Sequence, residues 1–318
     1  MAAKVFIDGD VGTTGLQIRT RLEGRTDIEL LRLPEGQRKD PAHRREMLNT
    51  ANVAILCLPD DAAKESAALV ENPKTKIVDA STAHRVADGW TYGFPEYTAG
   101  QRDVIASATR VSNPGCYAIS AVAMLHPLVQ GGVVPKDWPI TINAVSGYSG
   151  GGKELIASFE DQASPDHTDS AFYTYGLNLK HKHLPEITKW SGLAHAPVFV
   201  PSVGRYYQGM IVQTPLPLWS MPDRPTPGAV HAMLTKHYAD SRFVSVAPLN
   251  HTVGMRKLNP EDLNGTNELR LHVFASPDMS QAVVMCLIDN LGKGASGQAV
   301  QNVNIMLGMP EDTGLTND

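Results

Sequence analysis

Lys4-Val-Phe-Ile-Asp-Gly-Asp-Val-Gly-Thr-Thr-Gly15 is the stretch that decides the fold. A short apolar run breaks into glycines at 9, 12 and 15, and Leu16-Gln-Ile-Arg-Thr-Arg-Leu22 follows with helical spacing. Strand, glycine turn, helix is the arrangement that lets backbone approach a pyrophosphate, while the helix start supplies N–H donors and partial positive charge. The spacing is G-x-x-G-x-x-G, with Asp10 where the commoner pattern has its second glycine. Read alone, the turn serves either a dinucleotide or some other α/β protein. On the dinucleotide reading, Gly9, Gly12, Thr13, Thr14 and Gly15 are cofactor contacts.

Working outward, Ile28 to Leu33 predicts a second strand, at whose end a site for NAD would place an acidic residue on the ribose hydroxyls. Arg32, Arg38 and Lys39 stand there instead, with Glu29 and Glu35 nearby. The cations suit a 2′-phosphate and point to NADP, Arg32 being the contact chosen; a solvated basic loop is the alternative. Val53 to Leu58 and Ile77 to Asp79 predict further strands separated by an alanine-rich helix. Strands alternating with helices imply a Rossmann-like, doubly wound parallel sheet whose ligands lie beyond the carboxyl ends of its strands. That rim takes in Ser81, a further cofactor candidate, and extends to His84 and Arg85, which either touch an anion or are surface residues.

Ser112-Asn-Pro-Gly-Cys-Tyr-Ala118 runs into the apolar segment Ile119 to Val129. Pro114 and Gly115 mark a turn, so Cys116 falls at a helix N-terminus. Unpaired N–H groups and the helix dipole favour a thiolate there, where an unperturbed thiol of pKa about 8.5 is only slightly ionised. Cys57 and Cys286 lie inside apolar runs and read as core residues.

Beyond this helix the pattern changes. Ile140 to Val145 alternates as a strand, then Ser146-Gly-Tyr-Ser-Gly-Gly-Gly-Lys153 predicts a glycine loop, either a phosphate cradle or a flexible connection. Ser146, Gly147 and Ser149 are its candidate substrate contacts. In Leu179-Lys-His-Lys-His-Leu-Pro-Glu-Ile187, His181 and His183 share a face if the segment is extended, and Glu186 follows in a helix starting near Pro185. A metal site would need a third ligand at suitable spacing, and none is evident; acid/base chemistry needs one imidazole near the thiol. Further β-prone runs at 198–203, 210–213, 269–274 and 281–288 predict an α+β domain with a mixed or antiparallel sheet. The expected division is 1–114, rejoined by a closing helix within 291–318, and 115–290.

Composition sets the outer bounds. The 318 residues are 42% hydrophobic and 19% charged, with a net charge of −5 and no basic block, which argues against nucleic acid as the partner. Three cysteines without a zinc spacing fit a reducing compartment, and no run reaches 18 apolar residues, so a cytoplasmic protein without a membrane partner is expected.

Taken together, Gly9 to Gly15, Ser112-Asn-Pro-Gly-Cys-Tyr117, His181-Lys-His-Leu-Pro-Glu-Ile187 and Gly294-Ala-Ser-Gly-Gln-Ala-Val-Gln-Asn-Val-Asn304 resemble the N-acetyl-gamma-glutamyl-phosphate reductase family in its shorter form. The resemblance implies an NADPH-dependent oxidoreductase of arginine biosynthesis that reduces N-acetyl-L-glutamyl 5-phosphate to the 5-semialdehyde through a thioester on Cys116. It implies His183, or alternatively His181, as acid/base, with Glu186 orienting it. It also implies Asn302 on the cofactor side, Asn113 on the substrate side, and a homodimer or homotetramer. Two departures from the longer form concern the substrate: Ser81-Thr-Ala-His-Arg85 replaces a Ser-x-Asp-Phe-Arg pattern, and Gln208-Gly209 stands where an arginine precedes a glycine. Arg205 is the substitute chosen for the substrate carboxylate. The rival readings are an aspartate-semialdehyde dehydrogenase-like reductase, a non-catalytic dinucleotide-binding regulator, and a cysteine–histidine hydrolase, which leaves the glycine turn without a purpose.

Overall fold

Residues 2–249 and 254–316 are described by the computed structural model, so Met1, Asn317 and Asp318 of the expected divisions lie outside it. The chain forms two compact units. One comprises residues up to Pro95, Ala99–Gly115 and Ala295–Thr316; the other comprises Glu96–Thr98 and Cys116–Gly294.

The first unit alternates strand and helix: β1 (Ala3–Asp8), α1 (Thr13–Leu22), β2 (Ile28–Leu31), α2 (Pro41–Thr50), β3 (Val53–Leu56), α3 (Asp60–Ala68), β4 (Lys76–Asp79), β5 (Thr91–Tyr92), α4 (Gln101–Ser107) and β6 (Arg110–Ser112). Among the described residues these strands form one sheet in the order β2-β1-β3-β4-β6-β5, parallel throughout. All four residues of β3, Val-Ala-Ile-Leu, are buried, as a strand covered on both faces requires. Val5 and Ile7 point into a core with Ile18, Leu22 and Ile105, whereas Phe6 points into the opposite core with Leu48 and Ala67. The strand order reverses at β1, which puts a switch point beside the glycine turn.

The second unit begins with α5 (Cys116–Gln130) and continues through β7 (Thr141–Gly147), α6 (Gly152–Glu160), β8 (Phe172–Thr174), α7 (Leu184–Ser191), β9 (Val198–Gly204), β10 (Met210–Leu216), α8 (Pro227–His237), β11 (Val244–Val246), β12 (Leu269–Ala275) and β13 (Ala282–Ile288). Its described strands make a mixed sheet, β11-β12-β13-β10-β7-β9-β8. β7 pairs parallel to β9 and antiparallel to β10. Every residue of α5 from Tyr117 to Leu128 is buried, which explains a sequence that is apolar but for Ser120 and His126. Pro127 lies inside this helix and cannot donate to the Ala123 carbonyl. The Tyr238 hydroxyl does so instead, at 2.9 Å.

A π-helical turn, Gly292–Ser296, leads into α9 (Gly297–Met306). Ala299, Val300, Val303, Ile305 and Met306 of α9 complete the first unit's core beside Ile18 and Leu22. The closing helix is therefore shorter than the expected 291–318 span, and Gly308, at φ +71°, follows its end.

Candidate active site

Each unit contributes its own set of functional groups. In the first, Gly9 adopts φ +93°, and a Cβ on it would stand 2.4 Å from the Cys57 carbonyl oxygen. A Cβ on Gly15 would meet the Gly9 carbonyl oxygen at 2.3 Å. These two glycines are required by the protein's own packing. Gly12 differs: the nearest atom to a Cβ there is 3.6 Å away, so the chain itself has room for a side chain. Its bareness suits an incoming ligand. Gly12 is also the N-cap of α1 and offers no side chain to the first-turn N–H groups, which Thr13 and Thr14 open. A cradle of backbone donors that a Cβ would fill fits a pyrophosphate.

Beside that turn lies a cleft of about 620 Å³ lined by Gly9, Asp10, Val11, Arg32, Arg38 and Lys39, among others. Arg32 pairs with Glu23, and Arg38 approaches Asp10 at 3.8 Å. Asp8, at the end of β1, is buried and accepts from Arg44 (2.9 Å) and from the Ser66 hydroxyl (2.6 Å). The cleft wall thus carries Arg19, Arg32, Arg38, Lys39 and Arg44 against the carboxylates of Asp8, Asp10 and Glu35.

Two predicted contacts turn out to be internal struts. Asn302 is fully buried and donates both amide hydrogens inward, to the Gly93 carbonyl (2.9 Å) and to Asn113 Oδ1 (3.0 Å). Asn113 uses all its polar groups on the protein. Its N–H donates to the Asp79 carbonyl, its carbonyl accepts from Arg85 Nε, and its amide donates to the Ala295 carbonyl at 3.1 Å. Both residues brace the Asn113-Pro114-Gly115 turn that precedes Cys116. Arg85, a rim residue in the sequence, is another of these struts. Ser81 sits at the end of β4 as expected, but its hydroxyl donates to Asp79 (2.7 Å). His84 also bonds Asp79 through Nδ1 (2.6 Å) and stacks on Trp90 at 4.0 Å between centroids.

In the second unit Cys116 is the first residue of α5 and half-buried. The other thiols are of a different kind. Burial, reinforced by the carboxylates of Asp79, Asp8 and Asp10, pushes Cys57 far above its ordinary value, and burial pushes Cys286 up to about 12. Both stay protonated and inert. Tyr117, next to Cys116, donates to the Ser202 carbonyl (3.4 Å) and accepts from the Tyr175 hydroxyl (3.2 Å). Burial raises both phenols, Tyr175 to about 12, and the charge of Cys116 adds to the rise, so the two hydroxyls remain proton donors beside the sulfur.

The imidazoles gather around the same ring. Tyr117 meets His181 at 5.7 Å and His183 at 5.9 Å, edge to face, and the two imidazoles are 4.8 Å apart. The segment is a tight turn, where an extended run was expected. His183 is helical in φ and ψ, its N–H donates to His181 Nδ1 (3.1 Å), and α7 starts directly after it with Pro185 in its first turn. Proline's fixed φ favours that helix start, so the histidines converge through a turn instead of sharing a strand face. Glu186 is 1% exposed in the first turn of α7, where the helix dipole favours a carboxylate.

The glycine-rich stretch is also ordered more than its composition suggests. Ser146 and Gly147 end β7, a 3₁₀ turn spans Tyr148–Gly151, and α6 begins at Gly152. A Cβ on Gly147 would strike the Tyr207 carbonyl oxygen at 2.6 Å, so this glycine permits close backbone packing. Ser149 accepts from Asn290 Nδ2 (3.0 Å), and Ser146 donates to the Gly147 carbonyl (3.0 Å). Arg205 donates to the Thr168 carbonyl and pairs with the exposed Asp169 at 3.3 Å.

Comparison with known proteins places this geometry. Residues 4–108 match the model "Semialdehyde dehydrogenase, NAD binding domain", and residues 116–290 match "Semialdehyde dehydrogenase, dimerisation domain". The chain is 50% identical over 318 residues to N-acetyl-gamma-glutamyl-phosphate reductase 2 of Nostoc sp., covering 98% of this chain and 99% of that one. It is 51% identical over 309 residues to N-acetyl-gamma-glutamyl-phosphate reductase of Brucella suis, covering 97% and 100%. The chain belongs to the N-acetyl-gamma-glutamyl-phosphate reductase family. Its fold is that of the semialdehyde dehydrogenases: aspartate semialdehyde dehydrogenase II from Vibrio cholerae superposes with a TM-score of 0.70 at 15% identity, over 96% of this chain and 99% of that one. Within the family frame, the dinucleotide turn lies in the NAD-binding model and Cys116 opens the dimerisation model. Among the described residues no cluster of His, Cys, Asp or Glu could hold a metal ion, and no helix is long and apolar enough to cross a membrane.

Proposed function

We propose that the protein reduces N-acetyl-L-glutamyl 5-phosphate to N-acetyl-L-glutamate 5-semialdehyde and phosphate, with NADPH as reductant, as a homodimer or homotetramer in arginine biosynthesis. The observation that carries the reading is Cys116 at the first position of α5, next to a tyrosine ring that also touches His181 and His183. Family membership supports the substrate, and the cations of the first unit's cleft support NADPH over NADH.

The chemistry requires a covalent stage. Hydride adds poorly to a carboxylate, whereas Cys116 thiolate attacking the acyl phosphate expels phosphate and leaves a thioester, which is electrophilic enough to be reduced. Bound nicotinamide supplies the hydride for that reduction. Gly9, Gly12 and the N–H groups opening α1 would hold its pyrophosphate, with Arg32, Arg38 and Lys39 on the 2′-phosphate. His183, backed by His181 and oriented through Glu186, takes the thiol proton and returns it to the oxygen of the thiohemiacetal. As the C–S bond of that adduct breaks, its hydroxyl proton passes back to His183, the aldehyde is released and the thiolate is regenerated. Ser146, Gly147 and Ser149, at the end of β7, remain the proposed substrate-side contacts.

The test is the reverse reaction with phosphate and NADP, comparing N-acetylglutamate semialdehyde with aspartate semialdehyde. The acetylated compound should be preferred by at least about 100-fold in kcat/KM, since a site built for the acetamide loses its hydrogen bonds with the other. A preference for aspartate semialdehyde would overturn the substrate. Arg38→Ala should raise the KM for NADP about tenfold and leave that for NAD unchanged; equal effects on both would remove the 2′-phosphate assignment.

A further inference from the structure

The reaction above gives no task to the π-helical turn Gly292–Ser296, yet its residues are fixed one after another. A π turn is wide and rare, and such turns collect at functional sites. Gly292 packs so closely that a Cβ would lie 2.2 Å from the Thr266 carbonyl oxygen. Lys293 is fully buried, its ammonium donating to Glu96 Oε1 at 2.8 Å and lying 5.3 Å from the centre of the Phe243 ring. Gly294 donates its N–H to the Asp289 carbonyl, and a Cβ on it would stand 2.9 Å from Cys116 Cβ. Ala295 accepts from Asn113, the residue that also fixes the turn before Cys116.

A buried ion pair is a poor source of stability, because desolvation of the two charges consumes much of their attraction and an apolar pair of similar size does as well. What such a pair supplies is a fixed geometry. Here the geometry is that of the residue next to Lys293, which touches the nucleophile.

We propose that the Lys293–Glu96 pair is a clamp that holds the π turn so that Gly294 abuts Cys116 and sets the position of its thiol. Lys293 acts through Gly294 and is a positioning residue. The inference rests on Cys116 being the nucleophile.

The experiment uses the full-length enzyme carrying Lys293→Met together with Glu96→Gln, which removes both charges of the pair at once. Its melting temperature, kcat and KM are measured beside the pH profile of Cys116 alkylation by iodoacetamide, read by peptide mass spectrometry. The clamp predicts a folded variant whose kcat falls about 10- to 100-fold, as expected for a nucleophile displaced by the order of an ångström. KM should stay within about twofold, and the alkylation profile should move. Gly294→Ala, which keeps both charges, should reproduce the loss of kcat. A folded double variant with wild-type kcat and alkylation profile overturns the clamp. So does a double variant that cannot fold paired with a fully active Gly294→Ala. An active Cys116→Ser enzyme would instead refute the proposed reaction, a failure distinguishable from these because alkylation reports on the thiol without any substrate.

Discussion

Helix α5 carries a histidine–tyrosine cluster at each end of its length, and only one of them has the makings of a site. At its start Tyr117 touches His181 and His183 beside the half-buried Cys116. Near its far end His126 lies tilted against Tyr97 at 4.0 Å and meets His237 edge-on at 5.9 Å, with Trp190 against Tyr97. The ring chemistry is nearly the same. The difference does not lie in burial, since His126 and His183 are each 4% exposed; it lies in the neighbours, for Tyr117 follows Cys116 directly in α5, while burial, aided by His237, drives His126 down to about 4. On the proposed reaction, a buried pair of imidazoles gains a chemical task from the thiol beside it and not from its degree of burial.

The contrast can be broken most directly at the sulfur. Cys116→Ser should lose about 10³- to 10⁵-fold in kcat while retaining NADPH binding by fluorescence titration, whereas Cys57→Ser and Cys286→Ala should stay within a few-fold of wild type. Next come the imidazoles. His183→Asn should cost about 10²- to 10⁴-fold in kcat, His181→Asn less, and His237→Asn little in steady-state assays of folded enzyme; an equal loss at His237 would erase the distinction between the clusters.

The far cluster should reveal itself in stability. Unfolded His126 titrates near 6.5, but the folded group stays neutral until about pH 4. The unfolded chain therefore binds more protons in this window, so stability should fall as pH drops through it, by on the order of 2 kcal/mol, and be complete above about 6.5. Chemical denaturation at stepped pH checks this, and His126→Gln should flatten the acid limb. The smallest effect belongs to the proline inside α5: Tyr238→Phe strips the Ala123 carbonyl of its donor and should cost about 1–2 kcal/mol with activity unchanged.

Legibility from sequence followed the range of the interactions involved. The glycine turn at 9–15 was readable because its strand, turn and helix are contiguous, and Cys116 because Pro114 and Gly115 mark its helix start. The convergence of His181 and His183 was readable as proximity but not as geometry, since Pro185 starts a helix that turns the preceding residues. The internal bonds of Asn113 and Asn302 were not readable: a polar residue in a motif looks the same whether it faces a substrate or another asparagine 189 positions away. The Lys293–Glu96 pairing has no local signature, because 197 residues separate its members. The one available hint was a lysine between two glycines ahead of the closing helix.

The insertion of α9 into the nucleotide-binding core has a consequence for how the protein is made. The parallel sheet is synthesised first, yet Val300, Val303 and Met306, which seal its apolar face, emerge only after residues 116–294 have been added. At ribosomal speeds that is a wait of roughly ten to forty seconds. Throughout it, Ile18, Leu22 and Ile105 lack their lid, so chains that end before residue 295 should expose this apolar face and aggregate more readily than the whole protein.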